Sequence, residues 1–320
     1  MNAQRRILVI RLGAMGDIIH TLPAVASLKH GIPHSRITWI VEKKWVPLID
    51  GNPYVDEIVS FDRSSFAAFR AAWRRLRAER FEFAVDFQGL LKSALVATVA
   101  RPEKIFGFHQ SLLRERAAVL FYSHKTPSAA PHMVDQNLDL ASAAGAQSLL
   151  RVFPLPPGHR EGRLPDGPFV LTSPLAGWGA KQWPMERFAS LGVLLERECG
   201  LPLVVNGPSE IRIPNTHAHI SGIPGLIEAT RRATAVVGVD SGPLHIAAAI
   251  GKPGVAIFGP TDPARNGPYG ASMEVLRSPR AKTSHKRNAE PDSSMIEIGP
   301  EQVMAALKAR LAAHAEHGAT

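Results

Sequence analysis

A glycine-containing segment, 11–23, follows the first apolar run of the chain and contains Asp17. A strand that turns on glycines into a helix presents backbone N–H groups and the positive end of the helix dipole to a ligand. Asp17 then has two interpretations: a carboxylate that accepts a proton from a substrate hydroxyl, or a helix cap that stabilises the helix by ~0.5–2 kcal/mol. His20, one helical turn further on, could orient Asp17 or pack in the core.

A second group of candidate residues follows the apolar runs of the second half of the chain. Its members are Gly177, Lys181, Glu210, Asp240, Ser241, Gly242 and His245. Ligands of open α/β sheets bind outside the carboxyl ends of the strands. Lys181 offers a point charge, and Ser241 stands where a helix begins. Both features suit a phosphate group, because each charge-assisted hydrogen bond to it contributes ~1.5–3 kcal/mol. Taken singly, Lys181 could be a solvated lysine and Asp240 a helix cap. As a group, these residues predict a nucleotide diphosphate site.

Several sequence patterns of known chemistry are absent. The chain has no GxxxxGK followed by Ser or Thr, which disfavours a P-loop kinase or ATPase. It also has no HExxH motif, no paired cysteines and no Asp-x-Asp pair, the usual means by which a glycosyltransferase holds a divalent metal. Gly13 and Gly16 alone do not complete the GxGxxG dinucleotide fingerprint. The sequence therefore predicts chemistry without a bound metal or organic cofactor.

The elements that would position these residues alternate regularly. Short apolar runs alternate with helical stretches, which is typical of a parallel sheet with crossover helices. The predicted strands are 7–10, 37–41, 58–61 and 83–86 in the first half, and 169–172, 203–206, 235–239 and 255–258 in the second. Prolines and glycines mark 153–168 as a linker. We therefore predict an α/β protein with two doubly wound domains, 1–152 and 169–299, and a last helix over 300–320 that could pack back on the first domain.

Length and composition are those of an ordinary two-domain protein. The chain has 320 residues, of which 45% are hydrophobic and 20% are charged. No run of ~18 apolar residues predicts a spanning helix, and the apolar run behind Arg5 and Arg6 is too short for a signal peptide. We therefore expect a cytoplasmic protein. Cys199 is the single cysteine, and its neighbours predict a buried position in a helix.

Positive charge is concentrated in the first half of the chain. Residues 1–160 carry a net charge of +8, and residues 161–320 carry a net charge of +1. This excess favours an anionic partner, whether nucleic acid, a phosphorylated substrate or an acidic membrane surface, although a solvated basic surface is the simpler interpretation. The sequence lacks a zinc finger, an RRM signature and an aromatic-interleaved basic strand, which argues against nucleic acid.

The predicted helix 64–80 combines an apolar stripe with arginines beside it. The stripe residues and their basic neighbours are Phe66, Phe69, Trp73, Leu76, Arg70, Arg74 and Arg77. One interpretation is a solvated basic face over a packed core. The other is contact with phosphorylated or anionic lipid, at up to ~1 kcal/mol per charge near the surface.

Four segments of the chain resemble the lipopolysaccharide core heptosyltransferases. They are 15–23 with Asp17, 181–184 with Lys181, and 240–245 together with 259–263. The similarity runs from about residue 5 to about residue 311, and the segments that resemble type I enzymes more than type II are 86–93, 114–116 and 121–122. The resemblance implies a GT-B fold, in which two Rossmann-like domains flank a cleft. It also implies an inverting, metal-independent transfer of heptose from ADP-L-glycero-D-manno-heptose to the Kdo sugar of Kdo-lipid A.

The resemblance further implies roles for individual residues. Asp17 would be the general base, Lys181 and the Ser241-Gly242 backbone would meet the diphosphate, and Asp240 would meet the sugar, with Glu210 near the ribose. The residues expected to bind the acceptor are Gly16, His20, Arg63, Gln88, Lys92, Arg114 and Arg116.

The expected partners are ADP-heptose, Kdo-lipid A and the anionic surface on the cytoplasmic face of the inner membrane, with no nucleic acid. One departure concerns the donor, because the chain has Ala176 and Gly177 where relatives can carry hydroxyl residues before the lysine. That phosphate contact must then come from the backbone or be absent. Two alternatives stay open: another GT-B nucleotide-sugar enzyme, either a type II heptosyltransferase or an epimerase, and a non-catalytic basic binding module.

Overall fold

The computed structural model of the chain describes residues 4–62, 65–284 and 286–318. These residues divide into two compact units, and the boundary lies between Pro156 and Pro157, within the predicted linker 153–168.

The first unit is a parallel sheet with helices. Its strands and α-helices, within the described residues, are β1 (Arg5–Ile10), α1 (Met15–Gly31), β2 (Ser35–Glu42), β3 (Glu57–Phe61), α2 (Phe66–Ala78), β4 (Phe83–Asp86), α3 (Leu91–Val99), β5 (Lys104–Phe108), β6 (His124–Thr126) and α4 (Met133–Ala143). All pairings are parallel, in the order β3-β2-β1-β4-β5-β6. Ile7–Ile10 of β1 are fully buried, since a strand in a sheet covered on both faces needs apolar side chains on both.

The second unit repeats this architecture. Its strands and α-helices, within the described residues, are β7 (Val170–Ser173), α5 (Met185–Cys199), β8 (Leu203–Gly207), β9 (His217–Ile220), α6 (Ile223–Arg232), β10 (Ala235–Val239), α7 (Gly242–Ile250), β11 (Gly254–Phe258), α8 (Pro263–Asn266), β12 (Met273–Arg277), α9 (Ser293–Ile296) and α10 (Pro300–Gly318). The sheet is again parallel, in the order β12-β11-β10-β7-β8-β9. Phe188 of α5 and Val303 of α10 belong to one buried core with the central strands.

Each sheet has one place where the strand order reverses. That place lies between β1 and β4 in the first sheet and between β7 and β10 in the second. Ligands of doubly wound sheets bind outside the carboxyl ends of the strands at this switch point. The segments that follow these four strands are therefore the first places to look for a site: 11–17, 87–89, 174–181 and 240–242.

The predicted α/β class and all eight predicted strands are confirmed. Four further strands, β5, β6, β9 and β12, were not predicted. Two of them, β6 and β9, are polar sheet edges without a continuous apolar run. Cys199 was predicted to be buried, which is wrong: it is the last residue of α5 and is exposed. The predicted last helix is α10, which packs on α5 and β11; its packing against the first domain stays a prediction.

Within the described residues, no helix has both the length and the apolar character needed to cross a bilayer. The same residues contain no cluster of three or more His, Cys, Asp or Glu side chains that could hold a metal ion.

Candidate active site

Asp17 lies in the first turn of α1, after the carboxyl end of β1, and is held by Arg11. Arg11 is buried; its Nη2 lies 2.6 Å from Asp17 Oδ2, and its Nη1 donates to the carbonyl of Phe87, which follows β4. The Asp17 side chain is 42% exposed. A carboxylate that is fixed on one side and open to solvent on the other can accept a proton from a bound hydroxyl.

The cap interpretation of Asp17 needs a correction. Helix α1 begins at Met15 and its N-cap residue is Ala14, so Asp17 lies in the first turn and is not the N-cap. Asp17 Oδ2 accepts a hydrogen bond of 3.2 Å from the backbone N–H of Ala14, which is the reciprocal half of a capping box. Asp17 therefore has a structural contact at Oδ2, and Oδ1 is the oxygen that we expect to face a substrate.

The segment after β4 fixes the loop that carries Asp17. Gln88 Oε1 accepts a hydrogen bond of 2.8 Å from the backbone N–H of Leu12, so a residue predicted to bind the acceptor also ties the two switch-point segments together. The backbone N–H groups of Gln88 and Gly89 donate to Asp86 Oδ1 at 2.9 Å and 3.3 Å. These bonds make the carboxyl ends of β1 and β4 one hydrogen-bonded frame.

Asp86 is fully buried at the centre of that frame. Its Oδ2 accepts hydrogen bonds from the Tyr122 hydroxyl at 2.7 Å and the Ser93 hydroxyl at 2.8 Å. Burial raises the pKa of the Asp86 carboxyl, although the four donated hydrogen bonds oppose that shift. Burial and the neighbouring Asp86 also raise the pKa of Tyr122, which therefore stays a hydrogen-bond donor.

We expect Tyr122→Phe to lower the free energy of unfolding by about 1–3 kcal/mol, because it removes one donor from a buried carboxyl group. Urea unfolding at neutral pH measures the change. Tyr54→Phe is the matched control, since the Tyr54 hydroxyl makes no hydrogen bond to the described residues. Equal loss in the two variants would contradict the role of the Tyr122–Asp86 bond.

The remaining predicted acceptor residues lie in two places. Gly16 is in the first turn of α1, and His20 is buried further along it, with its ring edge-on to His132 at 5.3 Å. Lys92, Arg114 and Arg116 are exposed around the start of α3, where Leu91 N–H donates to Glu115 Oε2 at 2.8 Å. Arg63 lies outside the described residues.

Two tryptophans near the Asp17 loop were not predicted. A Cβ placed on Gly13 would come within 2.6 Å of Trp45 Nε1, so glycine is required here by the close approach of the indole. Trp39 Nε1 donates to the carbonyl of Arg11 at 3.2 Å. Neither contact has a local sequence signal, because each joins residues more than 25 positions apart.

The second sheet presents a buried ion pair at its switch point. Lys181 Nζ donates to Asp240 Oδ2 at 2.7 Å, and the two side chains are 11% and 9% exposed. His245 Nε2 lies 3.6 Å from Asp240 Oδ1. Burial alone would raise the pKa of Asp240, but the nearby His245 ring and the Lys181 charge outweigh it and lower the pKa to about 2. Both simple interpretations are therefore wrong: Lys181 is not a solvated lysine, and the N-cap of α7 is Ser241, not Asp240.

Three hydroxyl groups lie near the same sheet edge. Ser173 ends β7, Ser241 precedes α7 and Thr261 follows β11; each hydroxyl oxygen is buried and has no hydrogen-bond partner among the described residues. A buried hydroxyl without a partner costs ~1–3 kcal/mol, so these groups suit a ligand that accepts hydrogen bonds. Thr261 lies within the segment 259–263 singled out in the sequence but was not named as a site residue, and Ser173 was not predicted, because single hydroxyl residues after strands are common.

The chain matches the family model described as glycosyltransferase family 9 (heptosyltransferase) over residues 69–295. The chain belongs to glycosyltransferase family 9. It is 29% identical over 304 residues to lipopolysaccharide heptosyltransferase 1 of Escherichia coli strain K12, covering 86% of this chain and 94% of that one. It is 27% identical over 338 residues to lipopolysaccharide heptosyltransferase 1 of Pseudomonas aeruginosa, covering 93% and 92%. This family 9 member is therefore a glycosyltransferase, and a heptosyltransferase of the lipopolysaccharide core.

Solved structures of family members share the fold of this glycosyltransferase. The E. coli heptosyltransferase WaaC with ADP matches with a TM-score of 0.77 at 22% identity, over 95% of this chain and 99% of that one. The E. coli ADP-heptose lps heptosyltransferase II matches with a TM-score of 0.75 at 22% identity, over 97% and 99%. The predicted GT-B class is thereby confirmed.

Glu210 follows β8 in this glycosyltransferase and is exposed, beside Arg212 at 3.0 Å. The Arg212 hydrogen bond lowers the pKa of the Glu210 carboxyl, so the group is ionised at neutral pH. Glu210 lines a surface pocket of about 570 Å³ together with Ile211 and Thr216. The carboxylate is thus available at the carboxyl end of β8, where the ribose contact was predicted.

A loop before α9 holds the segment that carries Lys181. Ala180 N–H donates to the carbonyl of Asn288 at 3.1 Å, and Asp292 N–H donates to the carbonyl of Ala180 at 3.2 Å. The Trp178 ring lies 4.3 Å from Lys181 Nζ and 5.4 Å from the Arg287 guanidinium carbon. Residues 287–292 therefore fix the backbone beside Lys181.

We expect Gly179→Ala to lower the free energy of unfolding by about 1–3 kcal/mol and to weaken ADP binding, because the new Cβ would lie 1.5 Å from the Ala289 carbonyl oxygen and must displace the loop. Calorimetric titration with ADP and thermal unfolding measure the two effects. Gly167→Ala is the control, since a Cβ there meets no atom within 4 Å. Unchanged ADP affinity in Gly179→Ala would contradict the coupling between this loop and Lys181.

Proposed function

We propose that this enzyme transfers heptose from ADP-L-glycero-D-manno-heptose to the Kdo sugar of Kdo-lipid A, as a type I heptosyltransferase. The observation that carries the proposal is Asp17, whose carboxylate is fixed by buried Arg11 at the carboxyl end of β1 and is still 42% exposed. The relatives named heptosyltransferase 1 support the type, at 27–29% identity over most of the chain.

The donor diphosphate binds at the carboxyl edge of the second sheet. Lys181 and the N–H groups at the start of α7 supply positive charge, and Ser241 adds a hydroxyl without a partner among the described residues. Gly177 lies in open space where a Cβ would meet no atom within 4 Å, so its backbone can approach a phosphate. One solved structural neighbour is a complex of WaaC with ADP-2-deoxy-2-fluoro heptose, which supports an ADP-sugar as the ligand class.

The other donor contacts concern the sugar and the nucleoside. Asp240 is ionised and accepts a hydrogen bond from a sugar hydroxyl, while Lys181 balances its charge. His245, in the first turn of α7, orients Asp240. Glu210 accepts a hydrogen bond from a ribose hydroxyl.

The chemical step is one displacement at the anomeric carbon. Asp17 accepts the proton of the acceptor hydroxyl as its oxygen forms a bond to that carbon. The bond from the carbon to the diphosphate oxygen breaks, and ADP leaves with the electron pair. Lys181 and the α7 N-terminus stabilise the charge that develops on ADP, which is the role that a metal fills in other transferases. Attack from the opposite face inverts the anomeric configuration.

The acceptor binds at the carboxyl edge of the first sheet. Its anionic groups face the basic residues around the start of α3, and its reacting hydroxyl faces Asp17. The proposed acceptor residues are Gly16, His20, Gln88, Lys92, Arg114 and Arg116, with Arg63 outside the described residues. Since lipid A lies in a membrane, we place the enzyme at the cytoplasmic face of the inner membrane without nucleic acid as a partner.

ADP release from ADP-heptose tests the proposal when it is measured with three additions: Kdo-lipid A, the same acceptor already carrying one heptose, and none. We expect release with Kdo-lipid A and a product heavier by one heptose in mass spectrometry. Release only with the heptosylated acceptor would indicate a type II enzyme. Turnover of a UDP-sugar without a lipid acceptor would indicate an epimerase.

A further inference from the structure

Helices α2 and α3 of the first unit border an apolar pocket of about 400 Å³. Its described lining residues are apolar except for Lys92, and Leu76 and Ala72 form its buried floor. A pocket of ~300–1,000 Å³ with apolar walls is of the size that binds small ligands. Leu12, which also lines the pocket, belongs to the loop that carries Asp17, so the pocket reaches the frame of the candidate active site.

The rim of this pocket exposes large apolar side chains. Phe69 is 38% exposed, Trp73 is 39% exposed and Leu95 is 51% exposed, and all three line the pocket. Phe66, one turn before Phe69, is 80% exposed. An apolar cavity with an apolar rim retains water only at a cost, and a contiguous exposed patch of this kind marks an interaction surface.

The arginines of α2 fall into two sets. Arg75 Nη2 lies 2.5 Å from both Glu57 and Glu79, so it holds α2 against β3. Arg70, Arg74 and Arg77 are exposed and make no ion pair with any described residue. Each follows a stripe residue by one position, about 100° around the helix, and α2 has no acidic residue to neutralise them.

A row of uncompensated arginines beside an apolar stripe is the pattern of a helix that lies in a lipid interface. The exposed stripe residues Phe66, Phe69 and Trp73 enter the acyl region, while the long arginine side chains reach the phosphates. We propose that the α2–α3 pocket binds an acyl chain of an anionic membrane phospholipid, with Arg70, Arg74 and Arg77 at the head groups. The pocket then anchors the first unit at the membrane with Asp17 close to the surface.

Vesicles of phosphatidylglycerol and phosphatidylethanolamine, with and without bromine on the acyl chains, test this proposal. Bromine quenches tryptophan fluorescence only on contact, so acyl entry into the pocket should quench Trp73. We expect quenching in the wild type and loss of that component in Trp73→Phe. If vesicle-bound protein has equal tryptophan fluorescence with brominated and plain lipid, the proposal that an acyl chain enters the pocket is overturned.

Two further variants separate the parts of the site. Leu95→Gln places an amide in the pocket mouth and should abolish the bromine quenching; its side chain is half exposed, so the fold does not depend on it. The triple variant Arg70→Gln, Arg74→Gln, Arg77→Gln should weaken binding to anionic vesicles by about tenfold or more at ~0.15 M salt. A control with the same charge change is Arg160→Gln, Arg265→Gln, Lys282→Gln, which should bind as the wild type does.

The outcomes also discriminate other occupants. A dimer that dissociates in Leu95→Gln would show that a second copy of the chain covers the pocket, and would overturn the proposal. Equal binding of the two triple variants to anionic vesicles would also overturn the proposal. ADP release with acceptor dispersed in detergent should be unchanged in Leu95→Gln, so a failure of the proposed transfer and a failure of the pocket give different results.

Discussion

Asp17→Asn should lower kcat/KM for ADP release in the presence of Kdo-lipid A by about 10²–10⁴-fold, the contribution typical of a positioned base. The amide keeps the size of the carboxylate and can still accept a hydrogen bond from Ala14 N–H, but it cannot take the proton of the acceptor hydroxyl. The affinity for ADP should be unchanged, because the donor contacts that we propose all belong to the second unit. Steady-state kinetics and calorimetric titration with ADP measure the two quantities.

Asp50→Asn is the control, since Asp50 is exposed and makes no ion pair with the described residues. It should leave both kcat/KM and ADP affinity at the wild-type values. If Asp17→Asn turns over at a near-normal rate with intact ADP affinity, Asp17 serves the helix only. In that case the variant would show a loss of stability alone, because the amide cannot replace the ion pair with Arg11.

Lys181→Met should lower the free energy of unfolding by about 3–5 kcal/mol, because it leaves the buried carboxylate of Asp240 without its cation. Asp240→Asn should be destabilising for the same reason, with the ammonium left unpaired. The double variant should lose less than the sum of the two single variants, since the charges that oppose folding are then both removed. Denaturant unfolding of all four proteins measures this non-additivity, and strictly additive losses would contradict a coupled pair.

The same pair sets a dependence of stability on pH. The folded-state pKa of Asp240 is about 2, below its ordinary value of 3.8, so the ionised form stabilises the fold at every pH above about 4. That contribution is lost as the pH falls from about 4 towards about 2. We expect the difference in unfolding free energy between wild type and Asp240→Asn to shrink over that range. Lys308→Met is the control, because the Lys308–Glu198 pair is at the surface and contributes little to the free energy of unfolding. Its difference from the wild type should stay small over the same pH range.

The elements of the fold follow from local sequence more fully than the site does. Continuous apolar runs such as Ile7–Ile10 predict the central strands, since both faces of those strands must be buried. The edge strand β9 has only His219 buried and carries no such run. The starts of α1 and α7 are also predicted locally, because glycine and polar residues directly follow an apolar run at each of them.

The geometry of the site depends on residues far apart in the chain. Lys181 and Asp240 are 59 positions apart, so no spacing rule predicts that they form a buried pair. Arg11 lies close to Asp17 in sequence, but its burial depends on the carbonyl of Phe87. The sequence therefore indicates which residues carry charge at the switch points, while their pairing requires the assembled sheet.

The order of strands in the two sheets has a consequence for synthesis. Every strand of the first sheet comes from residues 5–126, so the ribosome has synthesised all of these strands before it makes any strand of the second sheet. Domains commonly fold as units from the N-terminal side during translation. The second sheet depends on α10, whose Val303 and Leu307 belong to its buried core. The nascent chain can therefore finish its first unit early, while the second unit waits for the last helix to emerge.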